Sequence, residues 1–250
     1  MMRITETVKQ LIIINIIFFV GTLIIGPQVA YSYLAMHFPE NPDFQVWQLV
    51  THMFMHGGIS HILFNMFGLW MFGSTLEQHF GAKKFLFFYF SCGIGASLLN
   101  IGLDYYLFYD ATSILVENGF DKTEIMSILS QGKVDTRWED ILGPIKHSNM
   151  VSSYITSAVG ASGALYGVLV AYAFMFPNAE LMMLFFPIPI KAKYFIPGLL
   201  AMDLFLGVRG QAVLGAGDGI GHFAHLGGAL VGILMMWYWK KNQFNNNRWD

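Results

Sequence analysis

Residues 157–176 read SAVGASGALYGVLVAYAFMF, a stretch that belongs in lipid except for Ser162, which stands between glycines near its start. A helix crossing a bilayer needs about 20 apolar residues, and this run supplies them. A hydroxyl in such a run has two readings, small-residue packing between helices or a nucleophile. The surrounding chain decides between them.

Apolar runs of similar kind recur on both sides, at roughly 11–34, 59–79, 83–103, 156–176, 194–208 and 219–239. Hydrophobic residues make up 55% of the 250 and charged residues only 12%, about half the ~25% of a soluble domain. The expected fold class is all-α: a polytopic membrane protein with six transmembrane helices, in a single membrane-embedded domain over 1–250. The first run exceeds the ~7–15 apolar residues of a signal peptide and no small-residue cleavage site follows, so it is read as a span. A net charge of −2 without a basic patch argues against nucleic-acid partners. Cys92 is the lone cysteine, which excludes an intrachain disulfide.

Short cytoplasmic loops carry an excess of Lys and Arg. With the N-terminus inside, Arg3, Lys9, Lys83, Lys84, Lys191, Lys193, Lys240, Lys241 and Arg248 face the cytoplasm. Arg209, Lys122, Lys133, Arg137 and Lys146 then fall outside. The expected placement is a multi-pass protein of a bacterial plasma membrane with both termini cytoplasmic. Between spans three and four lies an extracytoplasmic insertion at about 104–152, which holds eight of the sixteen acidic residues. It reads as solvated and partly ordered, with one short helix in DKTEIMSILSQG (121–132), where Asp121 can cap and Gly132 can end it. The loop 35–58, rich in aromatic residues, suits the outer membrane boundary. FFPIPIKAKYFIPG (185–198) reads as an inner loop broken by prolines.

In this orientation spans two, four and six run inward, and each carries polar groups near its outer end. These are His61 and Asn65 in ISHILFNMFGLW, Ser162 in TSAVGASG, and His222 and His225 in DGIGHFAHLGG. Six helical residues at 1.5 Å each would put them about 9 Å deep. A shared depth points to a site rather than to independent packing polars. Serine acyl transfer needs a base and oxyanion donors. His225 opposite Ser162 supplies the pair, and His61 and Asn65, four apart on one face, can aim donors together. Tyr166, one turn after Ser162, can pack on the base; Gly160, Gly163 and His222 line the site. Gly163 and Gly167 on span four, and Gly228 and Gly232 on span six, have the spacing that lets helices approach in lipid.

Each element has a plainer reading. The serine alone suits packing, and His225 and Asn65 alone suit interhelical hydrogen bonds. His52, His56 and His61 invite a metal, but Glu40, Asp43 and Cys92 do not fall into ligand spacing with them, so neither metal nor cofactor is expected. A channel would place charged rings along a through-path, whereas the inner halves of spans two, four and six are almost wholly apolar.

Together GASG (160–163), HILFN (61–65) and HFAHLGG (222–228), with VWQLVTHMFMH (46–56) ahead of them, resemble the rhomboid intramembrane serine proteases over about residues 45–240. The resemblance implies a six-span bundle and an endopeptidase acting on transmembrane protein substrates in the lipid bilayer, near its outer face. It implies Ser162 as nucleophile and His225 as base in a dyad with no acidic third member, His61 and Asn65 as oxyanion-hole donors, and a water-filled cavity gated by span five. Three features depart from the family pattern. Trp47-Gln48 replaces a common Trp-Arg, the insertion is long, and Asp203 puts an acid in span five. Asp203 is expected to face water or Arg209 rather than to orient His225.

Overall fold

The computed structural model describes residues 3–183, 186–209 and 221–242. The expected start of the sixth span at 219–220, Phe185 of the inner loop and Arg248 lie outside the described residues. Three described helices are long and apolar enough to cross a membrane: Glu6–Ile25, the continuous stretch Ile59–Phe80, and Ala82–Glu117. Isoleucine, leucine and valine side chains of the first, from Ile13 to Ile25, stand exposed, as a lipid-facing helix requires. This is an integral membrane protein.

The first apolar run is two helices rather than one. α1 (Glu6–Ile25) stops at Gly26, whose φ is +95°, and α2 (Pro27–Leu34) begins on a proline. Proline at a first helical position loses no hydrogen bond, and only glycine takes that φ without strain. Loop 35–58 contains α3 (Gln48–Thr51) and one 3₁₀ turn. Gln48, fully buried, ties the loop together. Its amide donates to the carbonyls of Asp43 (2.8 Å) and Ser32 (3.2 Å), and its oxygen accepts from the His37 N–H (3.3 Å). α4 (Ile59–Gly68), a π turn over Leu69–Gly73 and α5 (Ser74–Phe80) follow as one rod.

α6 (Ala82–Glu117) has 36 residues, about 54 Å at 1.5 Å each. A bilayer core is about 30 Å thick, so the helix runs well beyond the expected end at 103 and into the insertion. There α7 (Lys122–Ser130) is capped by the Asp121 carboxylate, which accepts from the N–H groups of Thr123 and Glu124. α8 (Arg137–Ile155) is broken at Gly143 (φ +72°), with Pro144 opening its second part. Phe38, Phe108, Ala111, Leu115, Ile125, Leu129, Trp138, Met150 and Tyr154 form a separate buried cluster among them. The segment expected to be only partly ordered is thus a packed helical unit, because its aromatic and aliphatic residues meet across three helices.

The fourth run is helical only from Ser162: α9 spans Ser162–Met175, and 156–161 is an irregular approach. A two-stranded antiparallel hairpin, β1 (Glu180–Met183) and β2 (Phe186–Lys191), pairs Glu180 with Lys191. It is the one exception to helix among the described elements. A two-stranded sheet has only edges, where proline is tolerated. α10 (Ala192–Arg209) and α11 (Gly221–Asn242) complete the chain. α11 packs most extensively on α6 and α9, and these two also pack on each other, so the three helices form a mutually packed trio. The main core gathers Phe85, Phe88, Tyr89, Val168, Ala171 and Trp239 from these elements.

Candidate active site

Ser162 is the first residue of α9, and its position is fixed from the loop before it. Met36 and Ala158 exchange backbone hydrogen bonds (2.9 and 2.8 Å), and the Gly160 N–H donates to the His52 carbonyl (2.9 Å). Gly160 itself has φ +125°, and a methyl there would stand 2.8 Å from His61 Nε2. Glycine is required twice over, once by conformation and once by contact. At a helix start the first N–H groups have no partner within the helix, and Ala161 provides no side-chain cap. The serine therefore sits among unclaimed backbone donors with the positive end of the helix dipole beneath it.

Ser162 lies shallower in its helix than the apolar run 156–176 predicts. Residues 156–161 are not helical, so Ser162 is not a turn and a half down a helix but at its mouth. Hydropathy had merged an apolar loop with the helix it leads into.

α11 brings the imidazole. His225 Nε2 lies 2.9 Å from Ser162 Oγ. The His225 side chain is 24% exposed and Ser162 is half-buried. The Tyr166 ring stacks on the His225 ring at 4.2 Å and 8°. Glycines allow this meeting. A methyl on Gly228 would collide with the Gly163 carbonyl, one on Gly232 would stand 2.9 Å from Gly167 Cα, and one on Gly163 would stand 2.5 Å from Ala96 Cβ. Backbone lies against backbone where α9 and α11 cross.

His61, on α4, flanks the serine loop. The Gly57 N–H approaches His61 Nδ1 at 3.3 Å. A ring nitrogen that accepts leaves the proton of a neutral imidazole on the other nitrogen, so Nε2–H is the donor, and it faces Gly160. Asn65 is buried and turned back on its own helix, donating to the His61 carbonyl at 3.1 Å; its amide carries a second N–H. His56 packs edge-on to His61, ring centroids 5.0 Å apart. His52 is occupied at both ring nitrogens, by the Gln48 carbonyl (2.7 Å) and the Ser97 hydroxyl (3.1 Å), which explains it as a structural group.

Asp203 is where the sequence expectation fails. It faces neither water nor Arg209: it is 3% exposed, and the Arg209 guanidinium lies over the Phe205 ring instead. The Asp203 carboxylate points into the bundle, with Oδ1 2.5 Å from His222 Nδ1 and 3.6 Å from His225 Nδ1. Its near-alignment in depth with the histidines was readable, but not which face of α10 it occupies. Asp203, His222 and His225 are also the residues whose donor atoms, all within 4.8 Å, have the composition of a metal set. Two donors on one tetrahedral zinc stand about 3.3 Å apart, however, and the 2.5 Å contact is a hydrogen bond closed between ligands.

A Rhomboid domain model matches residues 43–115 and 140–242, well over half of the chain. The chain belongs to the rhomboid family. Within the insertion the match omits only 116–139, the stretch that holds α7 and its flanks. This rhomboid is 28% identical over 194 residues to Rhomboid protein 1, mitochondrial, of Saccharomyces cerevisiae, covering 77% of this chain and 42% of that protein. It is 34% identical over 71 residues to the rhomboid protease GlpG of Salmonella paratyphi A, covering 28% of this chain and 26% of that one, with the same figures for the Salmonella typhi protein. The chain thus spans less than half the length of these relatives.

Proposed function

We propose that this chain is an intramembrane serine endopeptidase that cleaves transmembrane protein substrates near the outer bilayer face. The observation that carries the reading is Ser162 Oγ at 2.9 Å from His225 Nε2, between two helices of a membrane bundle. Family membership and the names of the relatives, one a rhomboid protease, support the same class.

In this mechanism Ser162 Oγ attacks the scissile carbonyl while His225 Nε2 takes its proton. The tetrahedral oxyanion receives hydrogen bonds from His61 Nε2–H, the Ser162 N–H and the second Asn65 amide N–H. His225 returns the proton to the leaving amine, an acyl-enzyme forms on Ser162, and water activated by the same imidazole releases it. Tyr166 holds the ring plane by stacking. No metal or cofactor takes part.

The fold reading that goes with it is six spans, α1, α4–α5, α6, α9, α10 and α11, with both termini cytoplasmic in a bacterial plasma membrane and the insertion outside. The lysines at both ends of the inner segments support that orientation. Reconstituted protein should cleave some members of a panel of single-span proteins, and Ser162→Ala should cleave none. Cleavage that survives Ser162→Ala, or stops on chelation, refutes the reading.

A further inference from the structure

We propose that Asp203 is a positioning group for the His225 imidazole, held in place by His222, so that the proposed dyad works as a three-residue unit spread over α9, α10 and α11. The inference rests on the proteolytic reading above and deepens it.

A carboxylate within a membrane helix is costly when it faces lipid, and α10 has turned this one away from it. Its neighbours Met202, Leu204, Phe205 and Val208 are exposed, while Asp203 is buried. The approach of α10 to α11 is close at Gly207, where a methyl would stand 2.9 Å from the Phe223 ring and 3.2 Å from His222 Cβ. That crossing sets the carboxylate beside both histidines. Oδ1 accepts from His222 Nδ1 at 2.5 Å, which fixes its place, and it faces His225 Nδ1 at 3.6 Å.

The second distance is too long for a hydrogen bond, and that is informative. His225 turns Nε2 to Ser162, so in the neutral ring the proton sits on Nδ1, the nitrogen facing Asp203. His225 Nδ1 and Asp203 Oδ2 are both buried and without a hydrogen-bond partner. The unpaired His225 Nδ1–H, facing carboxylate Oδ1 at 3.6 Å, makes a poised contact, since unpaired buried polar groups are costly. Such contacts often tighten only when charge develops. Once His225 takes the serine proton it becomes a cation, and a closure of under 1 Å would pair it with the carboxylate. The other groups around the ring do not compete for Nδ1. Ser162 is on Nε2, Tyr166 stacks on the face with its hydroxyl toward Asp203, His61 lies on the serine side, and His222 is already bonded to Oδ1.

The test uses the full chain in liposomes with a transmembrane substrate that the wild type cleaves. A hydrogen bond to a charged group corresponds to roughly a tenfold to hundredfold change in rate. Asp203→Asn should lower kcat by that factor, with KM within about twofold, an unchanged thermal midpoint and slower fluorophosphonate labelling of Ser162. Asp203→Glu should recover part of the loss. A kcat for Asp203→Asn equal to wild type overturns the inference, as does a loss that follows the fall in folded fraction. A measurement without substitution covers the case in which the variants fail to fold. In the wild-type Ser162–phosphonate adduct, ¹⁵N-histidine NMR should show a strongly downfield Nδ1 proton for His225, and its absence overturns the inference. Failure of the proteolytic reading looks different: neither cleavage nor labelling in the wild type.

Discussion

Gly228 of α11 lies against the Gly163 carbonyl of α9, so closely that a single methyl group at Gly228 has nowhere to go. Gly163 follows the serine directly, and Gly228 is three residues past the histidine. The distance between the reacting groups is therefore set by a backbone contact one turn away. Gly228→Ala should force α11 outward and lengthen the Ser162–His225 contact. Misplacement by about 1 Å costs on the order of a hundredfold in rate. Labelling of Ser162 should fall at least that far, with a lower thermal midpoint. Gly102→Ala, where a methyl meets nothing within 4 Å, should leave both unchanged.

The loop before Ser162 admits a second test. Gly160→Ala must place a methyl against the His61 ring and adopt a φ of +125°, at a cost of about 1–3 kcal/mol in backbone strain alone. Reduced cleavage with a modest stability loss is expected, and wild-type kinetics would show that the loop has another route.

At the other end of the bundle Glu77 holds the start of α1. Its carboxylate accepts from the N–H groups of Thr7 (3.1 Å) and Val8 (3.0 Å) and from the Thr5 hydroxyl. It caps a helix 70 residues away in sequence, satisfying donors that helix starts leave open. Glu77→Ala should lower stability by about 1.5–3 kcal/mol in thermal unfolding, while labelling per folded molecule stays constant.

The insertion is expected to behave as its own packed unit. Trp138 is fully buried in its cluster, and Trp138→Ala should cost about 3–5 kcal/mol locally. Hydrogen exchange should rise across α7 and α8 and not in α9 or α11. Equal loosening of all four would mean one cooperative core.

Asp121 gives a pH signature. The Glu124 N–H, followed by that of Thr123, holds its carboxyl below the usual carboxylate range. A depressed folded value means that the capping contribution is complete above the unfolded value of about pH 4 and fades as pH falls through the folded one. Amide protection at the start of α7 should decline below about pH 4 and be constant from pH 5 to 8.

How much of this was legible follows from which interactions are local. Ser162, His225 and the glycine pairs announce themselves because each motif carries its own helix-contact logic within a few residues. The break at Gly26-Pro27 was written in two letters, but a continuous apolar run hid it. The onset of α9 at 162 was hidden for a related reason, since hydropathy reports burial in lipid and not backbone geometry. Asp203 needed three dimensions. Its partners His222 and His225 come from α11, and only the close approach of the two helices at Gly207 brings them to it. The core of the insertion was masked by its eight acidic residues, of which Asp104 is buried and the others stand part-exposed or exposed around Phe108, Trp138 and Tyr154.

The central claim is that Ser162 is made nucleophilic by His225. It is tested most directly by treating purified protein with a fluorophosphonate probe and mapping the adduct by mass spectrometry. A single adduct on Ser162 is expected in the wild type, absent in Ser162→Ala and slowed at least a hundredfold in His225→Ala. Labelling of Ser162→Ala at the wild-type rate, or undiminished labelling of His225→Ala, would contradict it.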